Sequence, residues 1–126
     1  MKGVLLVNLG SPDSPEKNDV KKYLAQFLMD ERVIDEPLWL RTLLVKGIIL
    51  NTRPKKSAKA YKKIWWDEGS PLIVLSYRLL KKVDEMTSVP ISLAMRYGNP
   101  SIEFGIKELA QKGVNEILLI PLYPQH

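Results

Sequence analysis

Three short apolar runs, separated by stretches with helical spacing, constrain the fold of this chain more than any other feature. The runs are Val4-Leu5-Leu6-Val7, Ile91 to Tyr97 and Glu116 to Leu122. Near-continuous apolar runs of this length are typical of buried parallel strands, and parallel strands are joined by crossovers that are usually helical. The chain is therefore predicted to be an α/β protein with a doubly wound parallel sheet, helices on both faces and right-handed crossovers.

The first helix is predicted to begin at Ser14-Pro15, where a capping hydroxyl precedes a proline in the first helical position. Its apolar residues recur every three or four positions: Val20, Tyr23, Leu24, Phe27 and Leu28. That spacing indicates an amphipathic helix.

The segment from Leu38 to Leu50, which includes Trp39, is apolar nearly all round. Such a helix is either buried on several sides or faces a ligand, a partner or a membrane. The proline-containing stretch Thr52 to Lys56 is predicted to break it. A basic helix is predicted to follow as far as Trp65-Trp66.

Two more helices are predicted around the second strand. Gly69-Ser70-Pro71 precedes a helix whose apolar stripe comprises Leu72, Leu75, Leu79, Val83 and Met86. After the strand, Asn99-Pro100 is predicted to provide the cap and first turn of the next helix, which Gly113 closes.

The loops that follow the three strands are Asn8 to Pro12, Arg96 to Pro100 and Tyr123 to His126. Ligands of open α/β sheets bind beyond the carboxyl ends of the strands, so the three loops are predicted to share one edge and to line a site. The third strand has no helix after it in this sequence, and apolar surface on that strand is expected to be exposed. The chain is then either a fragment or a protein that dimerises over that surface.

Composition narrows the classes of function. A net charge of +5 favours an anionic partner, but no nucleic-acid-binding signature accompanies the scattered lysines, so nucleic acid is not expected. No apolar run approaches the roughly 18 residues that span a bilayer. The first residues lack the pattern of a signal peptide, and a cytoplasmic location is expected.

Nucleotide and resident-metal sites are also disfavoured. The loop after the first strand has a single glycine, Gly10, where dinucleotide and phosphate-binding loops need several. The chain has no cysteine, and its one histidine, His126, cannot by itself supply the three or four ligands of a metal site. Arg96 is either paired within the fold or directed into a cleft, and Arg53 is either a helix-end cation or an anion-binding group.

Several separated groups of residues resemble the ferrochelatase family. They are Lys2 to Pro12; Tyr23-Leu24, Phe27-Leu28, Asp30, Arg32-Val33-Ile34 and Pro37; Arg53-Pro54 to Tyr61; Gly69 to Leu72; Met95 to Pro100; and Pro121 to Gln125. The resemblance covers the whole chain and implies that residues 1–126 are the N-terminal lobe of a two-lobe enzyme. That lobe is expected to be a three-layer αβα domain, chelatase-like and similar to flavodoxin and Rossmann folds.

The resemblance implies insertion of ferrous iron into protoporphyrin IX to form protohaem, with iron and protoporphyrin as substrates and no permanently bound cofactor. The family's catalytic His and Glu lie in the second lobe and have no counterpart here, so the chain alone is expected to be inactive. The lobe is expected to form one wall of the porphyrin cleft. The residues that match porphyrin-contacting or cleft-lining positions are Leu9, Gly10, Ser11, Pro12, Arg53, Tyr61, Ser70, Arg96, Tyr97 and Tyr123.

Three alternatives remain open from the sequence. One is a stand-alone, non-catalytic porphyrin-binding module, and another is a related chelatase for cobalt or nickel, which the N-terminal signature disfavours. The third is an interaction domain that forms a homodimer through the uncovered sheet face and the helix around Trp39. The same helix is a candidate for peripheral contact with a membrane.

Overall fold

The computed structural model describes residues 1–30 and 35–123. Two parts of the predicted family signature, residues 32–34 and residues 124–125, therefore lie outside the described residues, as does His126. The chain divides into two compact units, Met1–Ser11 with Leu72–His126, and Pro12–Pro71. We call them the sheet unit and the helical unit, and each is described by itself.

In chain order the elements are β1 (Lys2–Ser11), α1 (Lys17–Leu28), α2 (Leu38–Thr42), a π-helical segment (Leu43–Ile49), α3 (Leu50–Ile64), α4 (Pro71–Met86), β2 (Ile91–Gly98), α5 (Ile102–Gln111) and β3 (Glu116–Pro121). The three strands form one parallel sheet in the order β2-β1-β3. The predicted parallel α/β fold is confirmed.

The sheet unit buries apolar side chains on both faces of β1 and β2. On one face Leu5, Val7 and Ala94 pack with Leu109 of α5 and with Val114; on the other, Leu6, Ile91, Leu93 and Met95 pack with α4. Successive residues of a strand point to opposite faces, so the run of apolar residues in β1 supplies both cores at once. Helices on both faces of the sheet were predicted and are confirmed.

The side of α4 that faces the sheet differs from the predicted stripe. Leu72 and Val83 pack against the sheet as expected, together with Ile73 and Leu80. The other members of the predicted stripe, Leu75, Leu79 and Met86, are exposed. The sheet-facing residues, Leu72, Ile73, Leu80 and Val83, are centred about 70° around the helix from the predicted stripe, so the sheet covers a different side of α4 from the one predicted.

The predicted caps of α1 and α5 were wrong. Ser14 does not cap α1, because its Oγ accepts the N–H of Glu16 ahead of the helix and donates to Asp19. Ser101, rather than Asn99, caps α5 by accepting the N–H of Phe104. The carbonyl of Pro100 accepts the N–H of Met95, so the chain at this point still follows the edge of β2 and has not yet turned into the helix.

In the helical unit, the predicted break at Thr52 to Lys56 is also wrong. Helical structure runs without interruption from α2 through the π-helical segment to the end of α3, and Pro54 lies inside it. Proline removes one backbone donor, and a π-helical turn just upstream is a usual place for a helix to absorb such an irregularity. Pro54 itself is fully buried, and α3 packs against α1.

Candidate functional site

The carboxyl ends of the three strands lie at one edge of the sheet unit. Ser11 pairs with Gly98, Val7 pairs with Pro121, and the N–H of Leu122 donates to the carbonyl of Val7 over 2.7 Å. The prediction that the loops share an edge is confirmed for the described residues, which end at Tyr123. In an open parallel sheet this edge is where ligands bind.

Gly10 brings the backbones of β1 and β2 into direct contact at this edge. Its φ is 120°, a value that side chains disfavour, and a Cβ placed on it would overlap the carbonyl oxygen of Tyr97. Gly98, next to Tyr97 in the chain, also has a positive φ of 83°. The close approach to the Tyr97 carbonyl is possible only because residue 10 is glycine.

Ser11 carries an unsatisfied hydroxyl at the same edge. The residue is 4% exposed, and its buried Oγ has no hydrogen-bond partner among the described residues. Buried hydroxyls are satisfied in most folded proteins, and an unpaired one costs free energy. An orphaned hydroxyl beside a ligand edge is therefore a natural place for a ligand atom to supply the missing partner.

Arg96 and Tyr97 follow in β2, where the strand ends. Tyr97 is buried, Arg96 is half-buried, and the guanidinium carbon lies 5.4 Å from the centre of the Tyr97 ring. At this distance the ring face attracts the cation. Part of the cost of bringing Arg96 out of water is thereby offset within the protein.

Two other predicted residues, Leu9 and Tyr123, also lie in the sheet unit. Leu9 is partly exposed, and Tyr123 packs half-buried against the cluster of Leu5 and Val7 on the α5 face. The sheet unit thus holds six of the predicted residues: Leu9, Gly10, Ser11, Arg96, Tyr97 and Tyr123.

The remaining four predicted residues belong to the helical unit. Pro12 and Ser70 are buried, whereas Arg53 is exposed on α3. Tyr61 is half-buried, with its ring edge-on to Trp65 at 6.2 Å between centroids. Burial raises the pKa of the Tyr61 hydroxyl, which keeps this group a neutral hydrogen-bond donor at physiological pH.

Sequence reasoning missed Asn8 and Ser76. Asn8 Nδ2 donates to Ser76 Oγ over 3.1 Å, and Ser76 Oγ donates to the carbonyl of Leu72 over 2.7 Å. These residues line a groove of about 390 Å³ whose apolar wall is Leu72, Leu75, Leu79 and Leu122. Asn8 stood within the quoted loop after the first strand, but a serine inside an apolar helical pattern gave no signal.

A second cavity, of about 560 Å³, lies near the end of β2. Its lining is Ile73, Tyr77, Asn99, Pro100, Ser101 and Phe104. Tyr77 and Phe104 come from two different helices, and their proximity depends on tertiary packing that the sequence pattern does not encode.

Within residues 1–30 and 35–123 no group of three His, Cys, Asp or Glu side chains is placed to hold a metal ion. Over the same ranges, no helix combines the length and apolar character needed to cross a bilayer.

The fold defines the chain as a parallel α/β protein whose strands end at one edge, the edge at which open sheets of this class bind ligands. The ferrochelatase family model matches residues 1–126, so the chain belongs to the ferrochelatase family. It is 59% identical over 123 residues to a ferrochelatase of Azotobacter vinelandii, covering 97% of this chain and 36% of that protein. It is 50% identical over 124 residues to a ferrochelatase of Vibrio cholerae, covering 98% of this chain and 39% of that protein. The chain thus spans little more than a third of the length of these relatives.

Proposed function

We propose that this chain forms one wall of the porphyrin cleft of a ferrochelatase, which inserts ferrous iron into protoporphyrin IX to form protohaem in haem biosynthesis. The observation that carries the proposal is the unsatisfied Ser11 hydroxyl beside the Gly10–Tyr97 backbone contact. Family membership and the match of the whole chain support the substrate class.

The chemistry asked of this lobe is positioning. Metal insertion requires the flat macrocycle to be bent so that a pyrrole lone pair meets the metal, while a base removes the pyrrole protons. A rigid backbone surface such as the Gly10–Tyr97 contact resists the bending force on one side of the ring. Arg53, which is exposed, is suited to pair with a propionate, because a guanidinium binds a carboxylate through two parallel hydrogen bonds.

The base that removes the pyrrole protons and the metal donors are proposed to lie in the part of a ferrochelatase that corresponds to the unmatched length of the relatives. Ferrous iron and protoporphyrin then enter as substrates, and the 126-residue chain binds porphyrin without turning it over. A cytoplasmic location fits this role. Measurable iron insertion by the purified chain would contradict this division of labour.

The proposal is tested by titrating the purified chain with protoporphyrin and following quenching of its three tryptophans. Arg53→Ala is expected to weaken binding about 10-fold, because a charge-assisted hydrogen bond is lost. Arg78→Ala removes the same charge from α4 and serves as the matched control, with affinity expected to stay within twofold. An equal loss of porphyrin affinity in both variants would mean that net charge alone governs binding, and would contradict the assigned role of Arg53.

Ser11→Ala separates a ligand contact from a purely structural role. Removing an unsatisfied buried hydroxyl leaves the free chain as stable as before or more stable. If the porphyrin satisfies that hydroxyl, the variant binds more weakly even though it unfolds at the same or higher urea concentration. Unchanged affinity in a stable Ser11→Ala chain would remove Ser11 from the site.

Homodimerisation is the second candidate, and the exposed side chains of β3 favour it. It predicts a concentration-dependent dimer in sedimentation equilibrium that protoporphyrin does not alter. A chain that stays monomeric up to high concentration would exclude it.

A further inference from the structure

The ladder between β1 and β3 ends before β1 does. Its last pair is Val7 with Pro121, whereas β1 continues to Ser11. The N–H of Leu122 donates to the carbonyl of Val7, so the backbone groups of Val7 and, two residues farther on, those of Leu9 point to the β3 side. Because β3 ends opposite Val7, the N–H of Leu9 has no strand partner on that side among the described residues. A backbone donor in this position needs a partner from outside the ladder.

The side chain of Asn8 supplies that partner. Its Oδ1 accepts the N–H of Leu9 over 2.8 Å. The backbone of Asn8 pairs with Met95 of β2, and its side chain lies on the face of the sheet that α4 covers, as does the side chain of Leu6. The amide group of Asn8 is thus placed between the end of β1 and α4.

Ser76 holds the other end of this amide group. It lies at the centre of the sheet-facing side of α4, one turn from Leu72 and one turn from Leu80, and it is 3% exposed. A serine inside a helix is unfavourable when its hydroxyl bonds to the carbonyl one turn back, as Ser76 does to that of Leu72 over 2.7 Å. The same oxygen accepts the Nδ2 of Asn8 over 3.1 Å, a bond that an apolar residue could not make.

Leucine side chains surround the bond between Asn8 and Ser76. The two polar residues line the groove of about 390 Å³, together with Leu72, Leu75, Leu79 and Leu122. A hydrogen bond in apolar surroundings is electrostatically stronger than the same bond in water. The bond to Ser76 therefore gives the amide group of Asn8 one fixed orientation, with Oδ1 directed at the N–H of Leu9.

The strand end that is held in this way carries residues of the candidate site. Leu9, Gly10 and Ser11 follow Asn8 directly, and the contact of Gly10 with the Tyr97 carbonyl fixes this segment on the β2 side only. We propose that Asn8 and Ser76 are positioning residues for porphyrin: their hydrogen bond, passed on to the N–H of Leu9, fixes the same segment on the side where β3 has ended. This inference rests on the proposed porphyrin function and adds to it two residues that act through their neighbours.

Titration of the purified chain with protoporphyrin, followed by tryptophan quenching, measures the effect on binding. Ser76→Ala and Asn8→Ala are each expected to bind about 10-fold more weakly, since a loosened strand end must be ordered when the macrocycle binds. The double variant should bind no more weakly than Asn8→Ala alone, because the two side chains act through one bond.

Two further variants separate positioning from a general loss of packing. Ser76→Thr keeps the hydroxyl and is expected to bind within about twofold of the unaltered chain. Ser92→Ala is the matched control, because Ser92 is also buried and its hydroxyl also bonds to a side chain, that of Glu108. Ser92 lies opposite Leu5, away from the strand ends, and its loss should change the affinity for protoporphyrin by no more than about twofold.

Amide hydrogen exchange, measured by NMR without porphyrin, reports on the strand end itself. Asn8→Ala is expected to raise the exchange rate of the Leu9 N–H about 10-fold, and Ser76→Ala should raise it by a smaller factor. The N–H of Leu6, inside the sheet, should exchange as slowly as before in both variants. The urea midpoint of Ser76→Ala should change little, since alanine regains the helix propensity that serine lacks.

The outcomes distinguish this inference from the proposed function. Absence of saturable quenching in the unaltered chain would contradict the porphyrin function itself, and the positioning role with it. Saturable quenching with equal affinity in Ser76→Ala, Asn8→Ala and the unaltered chain would overturn the positioning role alone. So would additive losses in the double variant, or a loss in Ser92→Ala or Ser76→Thr as large as that in Ser76→Ala. Weaker binding with unchanged exchange at Leu9 would also overturn it, because the effect would then reach porphyrin by another route.

Discussion

β2 and β3 flank the same central strand, pair with it in the same parallel sense and have similarly apolar sequences, yet their surroundings differ sharply. Five consecutive residues of β2, Ile91 to Met95, are buried. The first five residues of β3, Glu116 to Ile120, are exposed. Strand sequence therefore does not determine burial; the helices that cover each strand do.

The outward-pointing backbone groups of β2 and β3 also differ in their surroundings. At β2 the outward N–H of Met95 is taken up by the carbonyl of Pro100. At β3 the N–H of Leu122 points to β1. Backbone groups alternate in direction along a strand, so the backbone groups of Ile117, Leu119 and Pro121 point away from β1. Pro121 has no N–H to offer, which fits proline's confinement to strand edges.

The largest expected effect comes from one substitution made on each strand. Leu93 and Leu118 lie on the same face of the sheet, but Leu93 is 4% exposed and Leu118 is 62% exposed. Leu93→Ala should lower the free energy of unfolding by about 3 kcal/mol because it opens a cavity. Leu118→Ala should lower it by no more than about 0.5 kcal/mol. Urea unfolding measures both, and similar losses would show that β3 is covered in solution.

A smaller effect is expected where α5 covers the sheet. A Cβ on Gly105 would lie 2.7 Å from Leu5 Cδ1 and 3.2 Å from Ala94 Cβ. Gly105→Ala should therefore cost about 1–2 kcal/mol of stability, although alanine in a helix interior normally stabilises relative to glycine. Ile106→Ala, on the same helix but 44% exposed, is the control and should cost less. If Gly105→Ala stabilises the chain in urea unfolding, the packing of α5 on the sheet is looser than described.

The smallest effect concerns the cap that starts α5 beside β2. Ser101→Ala removes the hydroxyl that accepts the Phe104 N–H and should cost about 1 kcal/mol. Ser101→Asp, which preserves an acceptor at the helix N-terminus, should retain the stability. Thermal unfolding followed by circular dichroism distinguishes the two variants, and an equal loss in both would exclude capping as the role of Ser101.

The sequence predicted the strands and the existence of the helices because both depend on periodicity within a few residues. It failed where the answer depends on distant parts of the chain. The exposed Leu75 and Leu79 satisfy the helical spacing as well as Leu72 does, and which of them are covered depends on the side of α4 that packs on the sheet. Pro54 lowers local helix propensity, but helix flanking it on both sides and burial against its surroundings override that cost.

The candidate site shows the same division. The resemblance implied Ser11 and Arg96 as site residues, and their place at the strand ends was predictable because Gly and Pro mark the loops that follow the strands. The unsatisfied state of the Ser11 hydroxyl and the ring contact of Arg96 are not identifiable, since both require three-dimensional surroundings. The cavity lined by Tyr77 and Phe104 could not be predicted from the sequence for the same reason.

The contact between Gly10 and the carbonyl of Tyr97 has a mechanical consequence. It joins points 87 positions apart in the chain through main-chain atoms alone. Without a flexible side chain between them, a shift of one loop is transmitted to the other with little damping. The loops that follow β1 and β2 should therefore move together, and a substitution that shifts one loop will also displace the other.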